Sequence, residues 1–219
     1  MNNRLVIAVD GPAGAGKSTI AKKIAKILNI EYIDTGAMYR ALTLKILKSN
    51  IKVNDIKEIL KLMESTSISF KENHIYLDEM KVDTEIRKNI INNNVSCIAK
   101  IKEVREKMVE MQRRLSESNN VIMDGRDIAT VVLPNANYKF FITASVEERA
   151  RRRYKELLEK DNKDITYEQV LDEIKIRDKI DSTREIAPLK VTADAYVVDT
   201  TNMTIDQCVD KIISIIEGR

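Results

Sequence analysis

The chain has 219 residues, 37 of them Lys or Arg and 34 Asp or Glu, for a formal net charge of +3. That length supports one sizeable core, so a single domain over residues 1–219 is expected, and the near balance of charge with only 5% aromatic residues disfavours a nucleic-acid binder and suits a compact anionic ligand. No apolar run approaches the roughly 20 residues of a membrane span, and "MNNRLVIAVDG" lacks a secretory leader's long apolar region, so a cytoplasmic protein without membrane association is expected.

The first strand-like run, "LVIAVD", leads into "GPAGAGKST", which fits G-x-x-x-x-G-K-[ST] from Gly11 to Ser18, and a helix-like "TIAKKIAKIL" follows. Strand, glycine loop and helix are the context in which this motif cradles phosphates. Successive backbone N–H groups of Gly11, Pro12, Ala13, Gly14, Ala15, Gly16, Lys17, Ser18 and Thr19, apart from the proline, and the positive end of the helix would face phosphate oxygens. Lys17 adds a mobile charge, and Ser18 a hydroxyl suited to Mg²⁺, which takes few protein ligands when it travels with a nucleotide. The bland alternative is a glycine turn that happens to carry a lysine.

Further along, "EYID", "VIMD", "YKFFIT" and "AYVVDT" read as strands, separated by helical patterns at 18–28, 37–49, 55–63, 94–117, 146–160, 166–181 and 204–217. The expected fold is α/β, a five-stranded parallel sheet flanked by helices. One segment breaks the alternation: "SISFKENHIYLDEMKV", at 67–82, reads as a small antiparallel insert spanning about 66–84. The stripe Val104, Met108, Met111 and Leu115 assigns most charges of 102–115 to the wet side of a helix. Cys97 and Cys208 lack CxxC spacing and His74 is the single histidine, so zinc and a disulfide framework find no support and all three read as bystanders.

Parallel sheets bind ligands beyond the C-terminal ends of their strands. Three segments should therefore gather near the phosphate loop: "DTGAMYR" with Thr35, Tyr39 and Arg40; "MDGRD" with Asp124, Arg126 and Asp127; and "IRDKIDSTREIAPL" with Arg177, Asp181 and Arg184 spaced four and three apart. Arginines grip phosphate bidentately and aspartates accept from sugar hydroxyls, although the same spacing also decorates exposed helices. Asp124, at a strand end, is placed to hold a metal-bound water, which makes Ser18 and Asp124 the candidate metal pair. "EERARRRYKELLEKDNKD" follows a strand, and Arg149 with Arg153 shares a helical face, a pattern expected of an arginine-rich lid over 147–165 and also of a solvated basic helix.

Three classes remain open on residues alone. A guanine-nucleotide switch is disfavoured because "NKD" at 162–164 is followed by Ile165 instead of completing N-K-x-D. Another small phosphate-loop kinase, acting on shikimate, a sugar acid or a different nucleotide, is compatible with the loop. A structural nucleic-acid binder is disfavoured by charge and aromatic content.

"GPAGAGKST", "YIDTGAMYRAL", "DGRDIATVVLP", "EERARRR" and "RDKIDSTREIAPL" resemble, in order and spacing, the bacterial cytidylate kinases of the nucleoside monophosphate kinase family, and the insert falls where that family carries one. The resemblance implies a phosphate-loop kinase fold and transfer of the γ-phosphoryl group of Mg·ATP to CMP or dCMP. It implies a nucleoside-monophosphate-binding region over 35–117 and catalytic roles for Lys17, Arg126, Arg149, Arg153 and Arg184. Thr35, Tyr39, Arg40, Ser96, Arg105, Arg126, Asp127, Arg177, Asp181 and Arg184 would surround the acceptor, with Ser96 and Arg105 at the base and Arg177 and Asp181 at the ribose. Ala129 departs from the family's glycine in "GRDIGT", and Thr35 stands where serine also occurs. A monomer is expected, since no exposed heptad stands out.

Overall fold

The computed structural model describes residues 4–72, 74–117, 119–159 and 165–218. In chain order the elements are β1 (Val6–Asp10), α1 (Lys17–Leu28), β2 (Glu31–Asp34), α2 (Thr35–Lys48), α3 (Ile56–Glu64), β3 (Ile68–Lys71), β4 (His74–Leu77), β5 (Met80–Lys81), a 3₁₀ turn (Glu85–Arg87), α4 (Asn89–Ile98), α5 (Lys102–Ser116), β6 (Val121–Asp124), a π-helical turn (Ile128–Val132), β7 (Tyr138–Thr143), α6 (Val146–Glu159), α7 (Tyr167–Thr183), β8 (Tyr196–Asp199) and α8 (Ile205–Glu217).

The main sheet is five-stranded in the order β2-β6-β1-β7-β8, the architecture that the alternating strand and helix patterns predict. β1 is buried at every residue because it lies between two parallel neighbours with helices over both faces, which is why it reads as a continuous apolar run. The register pairs Val9 with Asp124, Asp10 with Phe141 and Thr143 with Asp199. Parallel pairing therefore brings the polar C-terminal residues Asp10, Asp124 and Thr143 to one rim of the sheet. α1 buries Ile20, Ala21, Ile24 and Ala25, a stripe of helical period, and ends at Asn29 in the left-handed conformation (φ 52°).

The chain divides into two compact units, one made of Met1–Ile30 and Val121–Arg219, the other of Glu31–Asn120. The first carries the phosphate loop and the α6–α7 hairpin. Ala150, Leu157, Val170 and Ile174 form a small core of their own between α6 and α7, and Thr166 starts α7 with a reciprocal capping box to Gln169. The second unit is built on α2, which buries Met38, Ala41, Leu42, Leu44 and Ile46. In it β3, β4 and β5 form the expected antiparallel insert, closed at Asp78 and Glu79 by two positive φ angles, 47° and 66°.

One expectation is corrected. The helical pattern at 94–117 predicts a single helix, whereas the chain forms α4 and α5 with a break at Ala99–Ile101. Ile98 and Val104 are both fully buried, and at 3.6 residues per turn they would stand about 120° apart on one continuous helix. Breaking the helix resets the phase, so that Val104, Arg105, Met108, Val109, Gln112 and Ser116 become the buried face; Met111 and Leu115, expected at its centre, are only half-buried. The Ala99 carbonyl released at the break accepts from Arg105 Nη1 at 3.1 Å.

Candidate active site

The phosphate loop is held open by backbone geometry. Gly11 has φ 146°, and a Cβ there would lie 1.9 Å from the Ile142 carbonyl oxygen; at Gly14 (φ 75°) it would lie 3.1 Å from Arg149 Cβ. The loop thus runs against β7 on one side and α6 on the other. Gly16 starts α1 in the left-handed conformation with no side-chain cap, so no side chain competes for the helix's first N–H groups. Lys17 folds back so that Nζ donates to the Pro12 carbonyl at 2.7 Å. Its pKa is driven well below the ordinary lysine value by burial, then by repulsion from Arg126 and Arg177, against the opposing pull of Asp124 and Asp10. Lys17 therefore lies buried among two arginines and two aspartates, beside helix N–H groups that no side chain caps, a setting suited to a phosphate.

Ser18 Oγ donates to Asp124 Oδ2 at 2.8 Å. Two hard oxygen donors, one at the start of α1 and one at the end of β6, suit Mg²⁺, and among the described residues there is no cluster of three His, Cys, Asp or Glu side chains that would form an all-protein cage. An ion here would take its remaining ligands from phosphate and water.

The second and third of the predicted segments come together. Arg126 Nε donates to Asp181 Oδ2 at 2.8 Å and its Nη1 to the Gly125 carbonyl at 3.1 Å, while Arg184 Nη2 stands 3.7 Å from Asp127 Oδ1. Burial alone would raise the Asp181 pKa, but the charges of Arg126, Arg177 and Arg184 and the Arg126 hydrogen bond hold it below the usual carboxylate value. Arg177 and Asp181 lie on α7, whereas Arg184 caps its end in extended backbone and donates through Nε to the Ala187 carbonyl at 2.6 Å. Ala129 avoids positive φ, so alanine replaces the family's glycine there without backbone strain.

In the lid segment, Arg149 is 3% exposed: it donates to the Ala144 carbonyl, to the Ala13 carbonyl of the phosphate loop, and to both carboxylate oxygens of Asp178 at 3.0 and 2.6 Å. Arg153, one turn on, is half-buried and pairs with Glu156 at 2.8 Å. Residues 160–164 of the lid, with the "NKD" triplet, lie outside the described residues.

The second unit carries the first segment. Asp34 caps α2 by accepting from Ala37 N–H at 2.7 Å and pairs with Arg40 at 3.2 Å, which places Thr35, buried, at the helix start. Arg105, 4% exposed, sits 5.9 Å from the centre of the Tyr39 ring, and Ser96 is half-buried on α4.

Three participants escape a reading of motifs. Asp10 accepts from the Ile128 and Ala129 N–H groups, Asp178 clasps Arg149, and Thr200 accepts from Arg152 through its hydroxyl at 3.0 Å and its carbonyl at 2.6 Å. Each partner is tens to more than a hundred residues away. The one local signal was an acidic residue ending an otherwise apolar strand, at Asp10.

The sequence matches the cytidylate kinase family over residues 7–218. The chain belongs to the cytidylate kinase family. It is 57% identical over 210 residues to the cytidylate kinase of Clostridioides difficile (96% of this chain, 97% of that one) and 52% identical over 212 residues to that of Caldanaerobacter subterraneus subsp. tengcongensis (97% and 94%). Solved structures share the fold at low identity: an uncharacterized protein from Eubacterium ventriosum has a TM-score of 0.56 at 14% identity, covering 99% of this chain and 100% of that one. A shikimate kinase from Bacteroides thetaiotaomicron has a TM-score of 0.50 at 14% identity, covering 97% and 98%. As a member of the cytidylate kinase family the chain is a nucleotide kinase, and the shikimate kinase likeness extends to architecture alone.

Proposed function

We propose that the chain transfers the γ-phosphoryl group of Mg·ATP to CMP or dCMP, giving CDP or dCDP and ADP. Family membership supports the acceptor, and one observation carries the chemistry: a glycine-built phosphate loop with a buried Lys17 stands in the same unit as an Arg126–Asp181, Asp127–Arg184 network. The acceptor atom is a phosphate oxygen, largely deprotonated at neutral pH, so positioning and charge stabilisation replace a general base. Lys17 leaves the Pro12 carbonyl for the β- and γ-phosphates. Ser18 and Asp124 provide the protein ligands for Mg²⁺, which when bound neutralises phosphate charge. Arg126, whose Nη2 has no hydrogen-bond partner among the described residues, and Arg184 take the acceptor phosphate, while Asp127, Arg177 and Asp181 order them and the ribose. Arg149 and Arg153 stabilise the transferring group. Thr35, Tyr39 and Arg40 are assigned to the acceptor's phosphate end, and Ser96 and Arg105 to its base.

The same reading makes the protein a cytoplasmic monomer acting on free nucleotides; no helix among the described residues is long and apolar enough to cross a membrane. A coupled assay across CMP, dCMP, UMP, AMP, GMP and shikimate tests the substrate. CMP and dCMP should exceed the others by at least about tenfold in kcat/KM, equivalent to about 1.4 kcal/mol of transition-state discrimination. Equal turnover of AMP, or none of CMP, overturns it.

A further inference from the structure

At the end of β1, where the phosphate loop begins, Asp10 is 2% exposed, and both of its carboxylate oxygens are used: Oδ1 accepts from Ile128 N–H at 2.9 Å and Oδ2 from Ala129 N–H at 2.8 Å. These two amides open the π-helical turn that directly follows Arg126 and Asp127. A π turn is a rarely used conformation, and at this one the first N–H groups are satisfied by a side chain that arrives from 118 residues earlier in the sequence. Val131 and Val132 donate back to the Asp127 carbonyl, so the turn and the acidic residue ahead of it move as one piece.

We propose that Asp10 is a positioning residue for phosphoryl transfer: its ionised carboxylate ties the turn bearing Arg126 and Asp127 to the strand that launches the phosphate loop, and so sets the distance between donor and acceptor phosphates. The proposal rests on the kinase reading above. Only the carboxylate can accept from both amides without also presenting a donor to one of them, because protonation, or replacement by an amide, converts one oxygen into a donor-bearing group opposite an N–H. Transfer in line tolerates little displacement, and a shift of about 1 Å costs on the order of a hundredfold in rate. The charged groups that bear on Asp10 are Asp127, beside the turn, and Lys17, on α1; burial foremost, opposed by the two amides and with Asp127 adding to it, raises its pKa to about 6. Asp10 is therefore maintained as an anion against its surroundings, and acidification through pH 6 releases the tie.

The test is Asp10→Asn. At pH 8 we expect kcat with CMP to fall at least about tenfold while KM for ATP changes less than about threefold, since the phosphate loop itself is intact. The thermal midpoint should not fall with it. A buried carboxylate whose pKa is raised on folding stabilises the folded state only as pH drops from about 6 toward the unfolded value of 3.8, so at pH 8 its charge is a burden that asparagine lacks. Wild-type stability should therefore gain on that of the variant as pH falls through this window, while the ratio of their rates shrinks. CMP's own phosphate titration cancels in that ratio. A second measurement needs no variant: the Ile128 and Ala129 amide proton shifts in wild-type protein should titrate together near pH 6. Parallel loss of stability and activity at pH 8, a rate ratio constant from pH 8 to 5, or amides that do not titrate in that range each overturn the proposal. Inactivity of the wild-type protein toward CMP would instead overturn the kinase reading and leave the amide titration standing.

Discussion

Asp178→Ala removes the carboxylate that clasps the buried Arg149. Two charge-assisted hydrogen bonds are lost, at 3.0 and 2.6 Å, and the guanidinium, with a side chain 4% exposed, keeps the Ala13 and Ala144 carbonyls as its acceptors among the described residues. Breaking a buried pair from one side costs about 3–5 kcal/mol; since the Asp178 side chain is 25% exposed, water can replace part of it, which places the expected loss near the lower end, about 3 kcal/mol. For a chain of this size that is a fall in Tm of about 6–12 °C. Thermal melts at low salt and at high salt read it, and the loss should persist in salt because the pair is shielded from solvent. Removing both partners, as Arg149→Met with Asp178→Leu, should cost less than Asp178→Ala alone by about 1 kcal/mol or more, because no uncompensated charge remains, even though two carbonyls lose a donor. A loss under about 1 kcal/mol, or one abolished by salt, would show the pair to be a surface contact and remove Asp178 as the support of Arg149, which joins α6 to the phosphate loop.

Gly11→Ala should raise KM for ATP and lower kcat/KM by about a hundredfold or more, because a Cβ 1.9 Å from the Ile142 carbonyl oxygen forces the loop away from β7; unchanged ATP affinity by calorimetry would refute the loop geometry. Asp181→Ala should weaken both acceptors by loosening Arg126, and should lose about fivefold more kcat/KM with CMP than with dCMP if its second oxygen accepts from the 2′-hydroxyl; equal losses would leave it only the Arg126 role.

Features decided by neighbours in the chain were legible beforehand. The phosphate loop needs Gly11, Gly14 and Gly16 within six residues, β1 needs an unbroken apolar run because both its faces are covered, and the insert's two turns are spelled out around His74–Leu77. The break between α4 and α5 was not read, because a period count over the whole of 94–117 averages away the phase slip between Ile98 and Val104.

What pairs with what was not legible. Arg149, Arg151, Arg152 and Arg153 are indistinguishable as a string, yet Arg149 is buried against Asp178 and Ala13, Arg152 reaches Thr200, Arg151 pairs with Glu148 and Arg153 with Glu156. Helical spacing says only that Arg149 and Arg153 share a face; which faces inward depends on where α6 packs against α7. Asp10 ends its strand as an ordinary acidic residue until parallel pairing with β6 brings the turn at Ile128 beside it. Local sequence specifies backbone conformation and periodicity, because those depend on residues within a turn or two, whereas the burial of a charge and the identity of its partner depend on strand order and helix packing that only the folded chain brings about.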